Sequence, residues 1–335
     1  MTCDLISMTF ILYSRPFAWL ILTFLSLFSF HQAPFNLILW TPIGLICVIN
    51  FMIETYVSLS FITPGRKKKS FADAGWKQQY ITVEGKKLNA VSFQQKDPSP
   101  LLFLIHGWRA SSHSVGDRGR WFAQHGWHVV LVDLPNHGDS DNIPLWSAYK
   151  SMQYLALLCE QVSDIIPNKN VTQATYYGHS IGGFIGLRLL SQKKEIKISG
   201  RKFTKLILES PMTMYSPILE EIAARLRIPK ALLNLYRKRL IQRFNSTLSP
   251  RGTFDSMEDF DLPRWGLPTL PILCIQASPD NRLGLGHYER LLQSYEVENE
   301  GQFVTHHLVE GLTHSGAKIN EERDQLISQW LEKEF

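Results

Sequence analysis

Cysteine is scarce in this sequence and poorly placed for cross-linking. Of 335 residues four are cysteine, Cys3, Cys47, Cys159 and Cys274, and no two stand close together. That spacing speaks against a disulfide framework and against a zinc site built on paired thiols. Cys47 falls in an apolar stretch and Cys274 in a strand-like run, so reduced thiols of a cytoplasmic protein are the expectation. Long runs of charge are missing too. The one basic cluster, Arg66-Lys67-Lys68-Lys69, follows an apolar segment, and the net charge of +5 is modest. Nucleic acid is therefore not an expected partner, whereas anionic lipid is. There is no internal repeat and no low-complexity tract. His106, His113, His125, His128 and His137 are scattered rather than clustered, so no metal or other cofactor is expected.

The amino-terminal region lacks a charged n-region, and no small-residue cleavage site precedes its second apolar block, which sets a cleavable signal peptide aside. Its apolar stretches run from Pro16 to Phe30 and from Phe35 to Ser58, separated by His31-Gln32-Ala33-Pro34. A bilayer span needs about 20 apolar residues. The second stretch qualifies, even with Pro42, Asn50 and Glu54 inside it. The first qualifies if Met8 to Tyr13 extend it past Arg15, whose side chain would reach for the interface. A transmembrane helical hairpin over residues 1–63 is the expectation, with a single span from Phe35 as the alternative. Positive charges beside a span stay in the cytoplasm, so Arg15 and the Arg66 cluster would place residues 64–335 on that side.

What is present is a nucleophile elbow. Gly178-His179-Ser180-Ile181-Gly182-Gly183 follows the strand-like run Ala174-Thr175-Tyr176-Tyr177 and leads into the helical run Phe184 to Leu190. This is the G-x-S-x-G pattern in its strand-to-helix context. The glycines let strand and helix approach while the serine sits in a crowded turn. A serine hydroxyl becomes a nucleophile only when a histidine takes its proton and a carboxylate orients that histidine. Downstream, the apolar run Pro271 to Gln276 empties into Ala277-Ser278-Pro279-Asp280, which makes Asp280 the candidate acid. The strand-like run Phe303 to Val309 leads into Glu310-Gly311-Leu312-Thr313-His314, which makes His314 the candidate base. Glu209, at the end of Lys205-Leu206-Ile207-Leu208, is a rival acid, and His306 and His307 are rival bases whose rings would point to opposite faces of a strand.

The run Leu101 to Ile105 suits a central parallel strand and delivers His106-Gly107-Trp108 to the same sheet edge. The backbone amides of Trp108 and Ile181 would then form the oxyanion hole. Gln79 to Val83 turns at Glu84-Gly85 into Lys87 to Phe93, an opening antiparallel hairpin. Strands near Leu101, His128, Ala174, Lys205, Ile272 and Phe303, most of them separated by helical stretches, argue an α/β architecture with a doubly wound, mostly parallel sheet. The block from Ser216 to Leu267 breaks that rhythm. It is amphipathic, and Arg225, Arg227, Lys230, Arg237, Lys238, Arg239 and Arg243 make it basic. It reads as a helical cap inserted over about residues 211–267, either an ordinary cover or a lid that touches anionic membrane.

These pieces, His106-Gly107-Trp108, Val132-Asp133-Leu134-Pro135-Asn136-His137-Gly138-Asp139-Ser140, the elbow, Ala277-Ser278-Pro279-Asp280 and Thr313-His314, resemble the α/β-hydrolase superfamily, in particular its serine lipase, esterase and S33-like branch. The resemblance runs from about Tyr80 to the carboxyl terminus, allowing for the insertion. It implies an α/β-hydrolase fold and an ester-type hydrolase with Ser180, Asp280 and His314 as triad. Two positions depart from the usual pattern. Asn136 stands where glycine is common, yet tolerates a left-handed turn, and Ala277 replaces the usual glycine of the acid turn. The expectation is a membrane-anchored serine hydrolase that cleaves carboxylic esters, first of all lipid acyl esters, through an acyl-enzyme on Ser180. Its expected partners are a small-molecule or lipid ester and membrane lipids. An acyl thioesterase, an acyltransferase and a non-catalytic hydrolase-like scaffold remain open, although the H-x-x-x-x-D spacing of His128 and Asp133 lies along one strand. The sequence leaves the oligomeric state open.

Overall fold

The computed structural model describes residues 2–32, 37–61, 67–248, 252–298, 300–315 and 319–333. Ala33, Pro34, Phe35 and Arg66, named above, lie outside the described residues. The chain opens with helices α1 (Thr2–Gln32) and α2 (Leu37–Ser60), then strands β1 (Lys77–Val83), β2 (Lys86–Phe93) and β3 (Ser99–Ile105). Next come α3 (Gly116–Gln124), β4 (His128–Val132), α4 (Ala148–Gln161), β5 (Val171–His179), α5 (Ile181–Leu190), β6 (Lys197–Ile198) and β7 (Arg201–Glu209). Helices α6 (Ser216–Arg225) and α7 (Leu233–Thr247) follow, and β8 (Ile272–Ser278), α8 (Gly286–Val297), β9 (Val304–Glu310) and α9 (Glu321–Leu331) complete the chain.

The strands lie in the order β1-β2-β4-β3-β5-β7-β8-β9, with β6 paired to β7. The hairpin β1–β2 and the pair β2–β4 are antiparallel, and the succession from β4 to β9 is parallel. Continuous apolar composition explains the centre. Leu101 to Ile105 in β3 and Val129 to Val132 in β4 are fully buried, as strands covered on both faces must be. Leu102, Leu104, Leu131, Tyr177, Ile207 and Leu273 share one core cluster with Phe122, Ile327 and Trp330. Each such aliphatic side chain contributes about 1.5–3 kcal/mol by leaving water. The register aligns Ile105 with Gly178, His179 with Glu209, Glu209 with Ile275, and Ser278 with Glu310. The turns after β3, β5, β7, β8 and β9 therefore emerge on one edge, where parallel α/β sheets carry their sites.

Two compact units can be distinguished. Pro64–Asn142, Ser147–Tyr215 and Asp259–Phe335 form the sheet unit, and Met1–Thr63, Ile143–Trp146 and Ser216–Glu258 form a helical one. Ser216–Glu258, the middle of the insertion read as a cap, thus clusters with the amino-terminal helices, while its two ends belong to the sheet unit. Within that unit the hydroxyls of Ser60 and Tyr236 lie 2.8 Å apart, and the Phe61 and Phe244 rings are 4.8 Å apart. Helix α1 runs unbroken through Arg15 and Pro16, which merges the first apolar stretch with the residues before it. Gly44 faces Ser26 and Arg15 shares a cavity with Glu54, so α1 and α2 run antiparallel. Trp40–Ser60 of α2 is long and apolar enough to cross a membrane, with a mean hydropathy of 1.7. On α1, Phe17, Ile21, Leu22, Phe24, Leu25, Leu27 and Phe28 are exposed.

Candidate active site

The joint between β5 and α5 is a single residue. Ser180 stands alone between them with φ 55° and ψ −117°, a conformation that a residue with a side chain adopts only when its surroundings enforce it. Three backbone bonds do so: Ser180 donates to the Glu209 carbonyl at 3.0 Å, and its own carbonyl accepts from Gly183 at 2.9 Å and Met212 at 3.0 Å. The flanking glycines are required by contact. A Cβ on Gly178 would lie 2.5 Å from the Gly182 oxygen, and one on Gly182 would lie 2.5 Å from the Ile105 oxygen.

The loops after β8 and β9 bring the other two residues to this serine. Nε2 of His314 lies 2.9 Å from Ser180 Oγ, and its Nδ1 lies 2.7 Å from Asp280 Oδ2. With the Nδ1 proton directed at the carboxylate, Nε2 is left to accept from the hydroxyl. Asp280 is held in turn: Oδ1 accepts from the backbone N–H groups of Arg282 and Leu283 at 2.9 Å each, and Oδ2 from the Gln276 amide at 2.9 Å. Burial alone would raise the Asp280 carboxyl. The His314 hydrogen bond and the two backbone donors outweigh it and hold the group well below the usual carboxylate range.

Trp108 and Ile181 come from adjacent strand ends. A Cβ built on Gly107 would lie 3.2 Å from Ser180 Cβ, so the turn carrying Trp108 is pressed against the nucleophile. Ile181 is the first residue of α5, where a backbone N–H has no acceptor within the helix. The neighbouring turn after β4 is built around buried Asp133, which accepts from Ser112 N at 2.6 Å and Asn89 Nδ2 at 2.8 Å. Asn136 takes φ 67°, the left-handed conformation read from the sequence. His106 Nδ1 donates to the Gly107 carbonyl at 2.7 Å while its Nε2 accepts from Leu134 N at 3.0 Å, and burial lowers its pKa. Burial also lowers His137 to about 3.

The rivals are placed elsewhere. The Glu209 side chain turns away into a buried cluster, accepting from Arg118 Nε at 2.6 Å and a second Arg118 nitrogen, from the Tyr177 hydroxyl, and facing Arg323 at 3.8 Å. Burial would raise its carboxyl, but the Arg118 charge overrides this and keeps it ionised. His306 pairs with the Tyr288 hydroxyl at 2.6 Å. His128 and Asp133 bracket β4, with His128 bonded to Gln95 N at 3.0 Å and the Asn170 carbonyl at 2.9 Å.

Two supports were not read from the sequence. His179, the variable residue of the elbow, donates from Nε2 to the His314 carbonyl at 2.6 Å. Burial lowers its pKa to about 3, so it serves as a neutral donor that fixes the loop of the candidate base. Its signal was a polar side chain between Gly178 and Ser180. Gln276, the one amide in the otherwise apolar run Ile272 to Ala277, is buried and reaches Asp280. A buried amide in such a run asks for a partner.

Residues 100–254 match the family model described as alpha/beta hydrolase fold. A Haemophilus influenzae protein named as a candidate esterase/lipase is 27% identical over 120 residues, 35% of this chain and 39% of that protein. Bifunctional epoxide hydrolase 2 of Rattus norvegicus is 29% identical over 107 residues, 32% of this chain and 18% of that protein. The matching stretch thus spans well under half the length of either relative. Among solved structures, a Pyrococcus furiosus esterase superposes with a TM-score of 0.58 at 17% identity, covering 81% of this chain and 97% of that one, which shows a common fold. The sheet unit therefore has the α/β-hydrolase fold.

Proposed function

We propose that this α/β hydrolase is a membrane-anchored serine hydrolase that cleaves carboxylic esters, acyl esters of lipids first among them, through an acyl-enzyme on Ser180. The observation that carries the reading is the unbroken relay from Asp280 through His314 to Ser180, at 2.7 and 2.9 Å. In the proposed cycle Ser180 Oγ attacks the acyl carbon as its proton passes to His314 Nε2. The carbonyl electron pair moves onto oxygen, where the N–H groups of Trp108 and Ile181 receive it. Collapse breaks the bond to the alcohol, which takes the proton from Nε2. A water then repeats the sequence and frees the acid. Asp280, already ionised, stabilises the imidazolium without itself taking the proton.

One relative is an epoxide hydrolase. Serine suits that chemistry poorly. Opening an epoxide with Ser180 Oγ would leave an ether, which has no acyl carbon for water to attack, whereas an acyl ester turns over. The exposed apolar residues of α1 and the length of Trp40–Ser60 support a hairpin in lipid, because a patch of that kind is disfavoured in water. Arg15 and Lys67 to Lys69 support a cytoplasmic placement of the hydrolase unit.

Labelling with a fluorophosphonate, followed by turnover of monoacylglycerols, lysophospholipids, short-chain esters and acyl thioesters, tests this reading. Covalent modification of Ser180 with preference for acyl esters is expected. A chain that neither labels nor hydrolyses any of them would be a scaffold instead.

A further inference from the structure

A polar cavity lies in the helical unit. It measures about 450 Å3 and is lined by Arg15, Trp19, Glu54, Arg239, Gln242 and Ser246. Each helix supplies residues one turn apart. Arg15 and Trp19 come from α1, Asn50 and Glu54 from α2, and Arg239, Gln242, Arg243 and Ser246 from one face of α7. Arg243 is buried and senses the charges of both Arg15 and Glu54.

The charges here do not balance. Among the described residues the cavity is lined by two guanidinium groups, those of Arg15 and Arg239, and one carboxylate, Glu54, which is only 4% exposed. Arg239 Nε stands 3.9 Å from Glu54 Oε1, and its other nitrogens reach Asn50 Oδ1 and Gln242 Oε1 only at 3.5 and 3.4 Å. Bonds of that length are weak. Arg237, on another face of the same helix, shows the contrast, with two bonds to Glu220 at 2.8 and 2.9 Å. Excess positive charge in a partly desolvated cavity is relieved by an anion, and a guanidinium fork fits the paired oxygens of a phosphate.

We propose that this cavity binds a phosphate group, either free or as the headgroup of an anionic glycerophospholipid. The lipid arm rests on the reading that α1 and α2 lie in a bilayer. It is favoured by Leu22, exposed on α1 one turn from Trp19 and two turns from Arg15 on the same face, along which an acyl chain would run. Bound there, the headgroup would tie α7 to both helices of the hairpin.

The test uses the full chain purified in a neutral detergent. It is reconstituted into phosphatidylcholine nanodiscs with and without phosphatidylglycerol, and co-purifying lipid is counted by mass spectrometry. Wild type should retain phosphatidylglycerol over phosphatidylcholine. Arg15→Gln with Arg239→Gln should reduce that preference about tenfold or more, at roughly 1 kcal/mol per basic residue, with hydrolysis of a soluble ester unchanged. Glu54→Gln should move it the other way, an opposite sign that a folding defect would not produce. In a separate arm, inorganic phosphate is titrated into the detergent-solubilised protein by calorimetry. Phosphate binding as tight as that of the lipid, and lost in the double variant, would assign the site to free phosphate. No difference between wild type and the double variant in either arm overturns the site. Release of wild-type chain from phosphatidylcholine vesicles by a carbonate wash would overturn the membrane reading alone, leaving the phosphate titration to decide the site.

Discussion

The backbone N–H of Ser180 donates to the carbonyl oxygen of Glu209 at 3.0 Å, so the residue bearing the proposed nucleophile is tied to one whose carboxylate is clamped by Arg118. Glu209 therefore supports the elbow from beneath, and in the proposed cycle it is not the acid. Glu209→Gln should leave Arg118 buried without its counter-charge and destabilise the fold by about 3–5 kcal/mol. The folded-state pKa of Glu209 lies below its ordinary value of 4.5. Its contribution is thus fully present above that pH and fades as pH falls further. Urea unfolding at neutral pH and at pH values below 4.5 should show the gap between wild type and variant closing in acid. A gap that widened in acid would contradict the assignment.

Ser180→Ala should abolish fluorophosphonate labelling and turnover while shifting stability by less than about 1 kcal/mol, because the strained backbone is kept and one oxygen is removed. Thermal unfolding alongside labelling checks both halves. Retained turnover near the wild-type rate would move the nucleophile elsewhere.

Asp280→Asn should lower kcat by several orders of magnitude, by analogy with the loss of about 10⁴ for the same change in the serine-protease triad. Because the Asp280 carboxyl is held low, it stays ionised through mildly acidic solution. Steady-state rates for Asp280→Asn and Glu209→Gln, each normalised to folded protein, separate the two acids: the first variant should be crippled and the second near wild type.

His179 acts through the loop it holds. His179→Ala should lower kcat about 10- to 100-fold by letting His314 drift from Ser180, with KM little changed. His179→Gln, which keeps a donor, should recover part of the loss. Equal losses for both variants would mean that the imidazole has some other task.

If α1 lies in lipid, Leu25→Arg should weaken membrane retention, since an arginine near the middle of a span costs about 2.5–3.5 kcal/mol. Carbonate extraction of the full chain measures it. Retention identical to wild type would place that exposed face outside the bilayer.

The sheet was legible because its strands are written as continuous apolar runs: Leu101 to Ile105 and Ile272 to Ile275 can be covered on both faces or not at all. The geometry of Ser180, Asp280 and His314 was legible for a related reason, since each follows such a run and the parallel register delivers all three to one edge. What stayed hidden depends on partners far apart in the chain. Arg118 and Glu209 are 91 positions apart, and no local pattern announces their pairing. Arg239, on the insertion, meets Asn50 across 189 positions, so a segment read as a cap for the sheet unit proved to cluster with the amino-terminal helices. The unbroken α1 was obscured by Arg15 and Pro16, which locally read as an interruption.

The order of the strands along the chain has a consequence for biosynthesis. Ser180 follows β5, whereas His314 follows β9, the outermost of the described strands on its side of the sheet and translated after the other eight. The hydrophobic helices α1 and α2 emerge from the ribosome before the elbow, and the proposed proton acceptor well after it. A polypeptide still being made, or one cut short before β9, would carry its hydroxyl in place with no imidazole to activate it. Hydrolytic capacity would then switch on only after the amino-terminal helices had had time to find their place.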